Sequence, residues 1–189
     1  MKSPYAQSDV LCLRQGSCCV TLDDVSRIVD TITRIVYIIK SPRLGDDWIF
    51  QEMKTIRNVA LNIRSSLDSF TKNIHRIAVD DSNKELLIHT ATNILNRFVE
   101  LRNRLSVLID HVKNVGNDGK ILTELSNLLS NVNSIAIKLV IVFLSLSTKI
   151  KWSKELIGPF SAAMASSILA TLLDMDRQVA QAIDECLYL

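Results

Sequence analysis

Apolar residues recur at alternating spacings of four and three along most of this chain. One run is Ile49, Met53, Ile56, Ala60, Ile63, Leu67, Phe70, Ile74 and Ile77. The next is Leu87, Ala91, Ile94, Phe98, Leu101, Leu105, Leu108, Val112 and Val115, and a third is Ile121, Leu125, Leu128, Val132, Ile135, Leu139, Val142 and Leu146. A shorter run, Leu22, Val25, Val29, Ile32, Val36 and Ile39, precedes them. Such spacing lays one apolar stripe along an α-helix, and each stripe must be buried against another element.

Local signals bound the helices. Thr21, with Asp24 three residues on, makes an approximate capping box for helix one, which ends at Ser41-Pro42. Helix two starts after Gly45, capped by Asp46 or Asp47, and runs to about Val79. Ser82 and Glu85 form the full S-x-x-E box of helix three, and Gly116-Asn117-Asp118-Gly119 breaks it. Helix four spans about Lys120 to Lys149, and a fifth, interrupted by Gly158-Pro159, carries Phe160, Met164, Ile168, Leu172, Met175, Val179 and Ile183. Short connections between such rods force antiparallel neighbours. The expected fold is all-α, an up-and-down bundle of about five long amphipathic helices. Residues 1–20 lack periodicity and read as a flexible arm, and 21–189 as a single domain.

Helix four carries a second column, Leu122, Leu129, Ala136, Phe143 and Ile150, and between Ile135 and Leu146 only Lys138 and Ser145 interrupt its apolar surface. A helix apolar all round is buried all round, so helix four is expected at the centre of the bundle. The same segment is where an apolar ligand would lie. Ile135, Leu139, Val142, Phe143 and Leu146 would contact its tail, with Lys149 or Lys151 holding a carboxylate at the solvent boundary.

Composition narrows the function. The 189 residues are 48% hydrophobic but 5% aromatic, so the core is aliphatic. Twenty-two Lys and Arg against 20 Asp and Glu leave a charge of +2, too small for the clustered basic face of a nucleic-acid binder. The apolar segment Ile135–Leu146 falls short of the ~18–20 residues that span a bilayer. Met1 to Val20 contains no apolar leader core, which suits a cytoplasmic protein if this N-terminus is native. Cys12, Cys18, Cys19 and Cys186 are candidates for disulfides, including a bridge between the two ends of the chain, or for reduced thiols. No N-x-S/T sequon occurs among twelve Asn.

Catalytic and metal chemistry find no constellation. His89 and His111 stand 22 positions apart on one helix, roughly 33 Å, and neither H-x-x-x-H nor E-x-x-H occurs. Asp174 and Asp176 are two apart and point to different sides of a helix. No serine lies in G-x-S-x-G, and no Gly-rich phosphate loop is present. The chain reads as a non-enzyme without a cofactor or metal. Lys149, Lys151 and Lys154 around Trp152 suit a solvated turn beside a helix C-terminus, or an anionic headgroup.

From about Thr21 onward the chain resembles the fungal hydrophobic-surface-binding and cell-wall mannoprotein family. The likeness lies in Ile121-Leu122-Thr123-Glu124-Leu125-Ser126-Asn127-Leu128-Leu129, in Leu146-Ser147-Thr148-Lys149-Ile150 before a Gly-containing break, and in Val25-Ser26-Arg27-Ile28-Val29 followed by Ile32. The resemblance implies a small secreted helical bundle that adsorbs to apolar surfaces or holds a fatty-acid chain between its helices. The chain departs from that family in its many Arg and Asn residues. Two functions follow as expectations: a binder of apolar surfaces or fatty-acid-like lipids, or an intracellular protein-interaction or scaffold bundle.

Overall fold

A computed structural model describes the backbone of residues 6–7, 10–12, 19–39, 47–73, 81–115 and 119–150, and the side chains of 19–39, 48–72, 89–115 and 119–139. Four helices dominate: α1 (Leu22–Ile39), α2 (Asp47–Asn73), α3 (Asp81–Val115) and α4 (Gly119–Ile150). Each packs against the next, and α4 returns to α1, so the four close a ring. Cross-helix contacts fix their directions. Trp48 near the start of α2 meets His111 near the end of α3, while Glu52, one turn along α2, binds Arg104, two turns back along α3. Likewise Arg34 near the end of α1 pairs with Glu124 near the start of α4. The helices therefore run alternately up and down.

The first helix begins where the sequence places its cap. The Thr21 N–H donates to Asp24 Oδ2 at 2.9 Å, and the Asp24 N–H donates to Thr21 Oγ1 at 3.0 Å. Each side chain thus satisfies a backbone donor that the first turn leaves without a helical acceptor. Helix three starts at Asp81, one residue before the expected Ser82, a difference within the usual spread of helix ends. The link from Val115 to Gly119 is short enough to force α3 and α4 antiparallel. The expected last turn of helix two, 74–79, and all of helix five lie outside the described residues.

The stripes meet inside the ring. In α2 every stripe position from Ile49 to Phe70 is buried, as are Ala91 through Val112 in α3. The buried band is wider than a single stripe: Ile28, Ile35, Leu95 and Ile109 join it. A helix in a closed ring touches two neighbours as well as the interior, which broadens the apolar sector it must bury. Val115, although in step with its stripe, is 49% exposed because it is the last residue of α3.

Among the described helices, α4 is one wall of this ring. From Gly119 to Asn131 it shows an exposed position on each turn, whereas from Val132 to Leu139 none is exposed. Strands account for part of that cover. Within residues 1–21, β1 (Ala6–Gln7), β2 (Val10–Cys12) and β3 (Cys19–Thr21) pair antiparallel in the order β1-β2-β3. β3 lies beside α1 and α4, and β2 beside α4. Val20 in β3 is fully buried and joins the bundle core. Strands of two or three residues are too short to show alternation, which is why the sequence reads as an arm there.

Cys19 is disulfide-bonded, and the strand register sets Cys12 directly opposite it. The strands thus mark one end of the bundle, at the start of α1 and the far half of α4. The distal end is formed by the end of α1, the start of α2, the end of α3 and the start of α4.

Candidate functional site

Among the described residues, four large apolar side chains stand exposed: Tyr37 (80%), Trp48 (42%), Val107 (57%) and Val115 (49%). All four belong to the distal end. Tyr37 is two residues from the end of α1, Trp48 is the second residue of α2, and Val107 and Val115 lie within the last nine residues of α3. At 1.5 Å per residue they fall within about 12 Å of that end. They are spread over three helices around that end, with Tyr37 on α1 and Val107 and Val115 on α3 across the ring from it.

Beside Tyr37 a groove of about 360 Å³ runs between α1 and α2. Thr33, Val36 and Tyr37 form one bank, and Phe50, Lys54, Arg57 and Asn58 the other. Phe50 is half-buried and packs on the core, so its ring makes a fixed floor. The Lys54 ammonium stands 5.1 Å from the centre of that ring, within the range of a cation–π contact. Arg57 is held by its Nε, which donates to Thr33 Oγ1 at 3.0 Å. The terminal guanidinium nitrogens of Arg57 and the Tyr37 hydroxyl have no partner among the described residues. The groove thus presents an aromatic wall and two cations, and among the described residues no carboxylate lines it.

Two further clefts differ in charge. One of about 210 Å³ between α1 and α4 is lined by Asp24, Arg27, Thr31, Asn131, Ser134 and Lys138 around Ile28 and Ile135. Another of about 380 Å³ between α2 and α3 holds Asn62, Ser66, Asn93, Asn96, Arg97 and Glu100. Both mix acidic and basic groups. Next to the second cleft, Glu100 accepts from Arg97 at 2.8 Å and from Arg104 at 3.3 Å, and Arg104 also donates to Glu52 at 2.9 Å. The Arg97 bond holds the Glu100 carboxyl below the ordinary carboxylate range; partial burial opposes this and the Arg104 bond adds to it. The bond to Glu52 raises Arg104 in turn. Burial lowers Arg102.

Of the expected ligand-binding set, only Ile135 and Leu139 have described side chains. Leu139 is fully buried in the core, and Ile135 is half-buried in the wall of the polar α1–α4 cleft. Val142, Phe143, Leu146 and Lys149 lie on the α4 backbone, but their side chains fall outside the described residues, as does Lys151. Of the cysteines, Cys12 and Cys19 come together in register, while Cys18 and Cys186 are outside. His89 is exposed, His111 packs on Trp48, and His75 lies outside. Among the described residues no three His, Cys, Asp or Glu side chains are placed to hold a metal ion, and no helix is long and apolar enough to cross a membrane.

The Tyr37 groove was not among the sequence expectations. A signal for it exists: Tyr37 follows Val36 immediately, so it falls about 100° off the stripe, an aromatic where the pattern calls for a polar residue. No protein-family model matches the chain, and neither a curated protein nor a solved structure shows significant similarity to it.

Proposed function

We propose that this chain is a non-enzymatic helical bundle that binds a partner protein through its distal end, with residues 151–189 adding a fifth helix. The observation that carries the reading is that Tyr37, Trp48, Val107 and Val115, the exposed large apolar side chains among the described residues, all lie at that end. Interface cores are enriched in aromatic residues and Arg and depleted in Lys, Glu and Asp, and binding energy concentrates on Trp, Tyr and Arg anchors. An exposed tyrosine beside an arginine with open donors fits that chemistry. A photoreactive amino acid placed at Val107 or Val115 should cross-link one recurring polypeptide, whereas Ser65 and Asn93, exposed toward the other end, should not. Equal labelling from all four positions would remove the reading.

A second reading keeps the apolar ligand. It rests on the apolar run of the far half of α4, Leu139 to Leu144, and on the family resemblance. In that reading the far half of α4 holds an aliphatic chain, and Lys149 or Lys151 meets its carboxylate. Saturable displacement of a fluorescent fatty acid, lost in Leu139→Trp, is the expected result; no saturable binding would retire it.

A further inference from the structure

We propose that the α1–α2 groove seats an acidic amphipathic helix of a partner protein, with an apolar side chain between Tyr37 and Phe50 and carboxylates facing Lys54 and Arg57. This rests on the reading of the distal end as an interaction surface and names the chemistry of its occupant.

Charge decides the sign of the partner. Among the described residues the groove brings together two cations and no carboxylate, whereas each of the other two clefts is lined by both signs of charge, with Arg97 and Glu100 paired at 2.8 Å in one of them. Arg57 is the better placed of the two. Its Nε is spent on Thr33, which fixes the plane of the guanidinium, and its terminal nitrogens are left to meet a carboxylate. A fork held this way loses little rotamer freedom when it binds. Lys54 sits against the Phe50 ring, so its stem is packed while its ammonium retains hydrogen-bond donors for a carboxylate.

Shape decides the class of partner. The depression lies between two antiparallel helices, with Tyr37 standing as one bank. A third helix laid along such a channel buries its apolar stripe on Phe50 and Tyr37 and keeps its flanks near the cations. A lipid surface is broad and flat and would meet the rims rather than the floor.

The test uses the full chain and a synthetic helical peptide of about 15 residues, roughly four turns, with leucines on one face and glutamates beside them. Its counterpart carries lysines in place of the glutamates. Fluorescence anisotropy should show the acidic peptide binding about tenfold more tightly than the basic one, with the difference shrinking as salt rises. Tyr37→Ala and Lys54→Glu should each weaken the acidic peptide about fivefold or more, in line with loss of an anchor. Both side chains are exposed, so unchanged helical circular dichroism and melting are expected of the variants. Equal affinity for the two peptides, or binding indifferent to both substitutions, would overturn the proposal. Adsorption to vesicles of equal phosphatidylserine and phosphatidylcholine without peptide binding would overturn it in favour of a membrane. Cross-linking from Val107 and Val115 is independent of the groove. A partner captured there while both peptides fail would sink the groove alone and leave the distal-end reading standing.

Discussion

The Trp48 and His111 rings lie 4.4 Å apart, centre to centre, tilted by 49°. Trp48 is half-exposed on the first turn of α2, and His111 is partly buried on the last turns of α3. The pair therefore fastens two helices near the distal end, where the core stripe of α3 runs out at Val115. Aromatic contacts of this kind add about 0.5–1.5 kcal/mol beyond area burial. A double-mutant cycle with Trp48→Ala and His111→Ala, read by urea denaturation, is expected to return a coupling in that range. A coupling near zero would mean that the rings are adjacent without attraction.

The capping box at Thr21 and Asp24 makes a second expectation. Thr21→Ala removes the acceptor of the Asp24 N–H and should cost about 1 kcal/mol, within the usual range for a helix N-cap. Thr21→Ser should restore most of it, because the hydroxyl is what the Asp24 N–H needs. Thermal melts of the two variants side by side separate the cap from a general effect on β3.

Core deletions should be severe on either side of the ring. Leu139→Ala, at a fully buried position, is expected to cost about 2–5 kcal/mol, and Phe98→Ala about 3–5 kcal/mol. Both are measurable as shifts in the denaturant midpoint. A small loss at Leu139 would show that the second half of α4 can collapse around a void.

Glu100 gives the fold an acid-side dependence. Its carboxyl is lowered in the folded state, chiefly by the bond from Arg97. The stabilisation is complete above the ordinary glutamate range, about pH 4.3. It is lost as the pH falls from there through the lowered folded value, because the unfolded chain takes up the proton first. Glu100→Gln should flatten this part of the stability profile and leave neutral pH less affected. Identical acid profiles for the two proteins would place the dependence elsewhere.

The disulfide of Cys19 is expected to be closed by Cys12. Cys12 is its register partner across β2 and β3, and directly opposed strand positions approach closely enough for a bridge. Peptide mapping without reductant should join these two residues; a link from Cys19 to Cys18 or Cys186 would refute the assignment. Closing so short a loop stabilises by about 2–3 kcal/mol in the chain-entropy picture, a loss that reduction should reveal.

The sequence makes the four helices readable because burial in a bundle repeats at the helical period. Ile49, Met53, Ile56, Ala60, Ile63, Leu67 and Phe70 fall on one stripe and are all buried. Ile28 and Ile35 are just as buried but belong to the flank that a closed ring adds, a property of the assembly and not of one helix. β3 was hidden for a different reason. Three residues cannot display a period, and Val20 reveals itself as core by docking on α1 and α4. The groove needs more still. Tyr37 and Phe50 are neighbours because of how α1 and α2 are staggered, and no spacing within either helix encodes that stagger.

The alternating direction of the four helices has an electrostatic consequence for the distal end. Two helix C-termini, from α1 and α3, interleave there with two N-termini, from α2 and α4. A single helix carries the equivalent of roughly half a charge at each terminus, and around this ring positive and negative termini alternate. At a distance their fields cancel in pairs. The four described helices therefore add little net backbone polarity at this end, and side chains such as Lys54 and Arg57 weigh more in what an approaching molecule meets. Reversing the charge of one of them should change association rates more than dissociation rates, since long-range charge acts chiefly on the encounter.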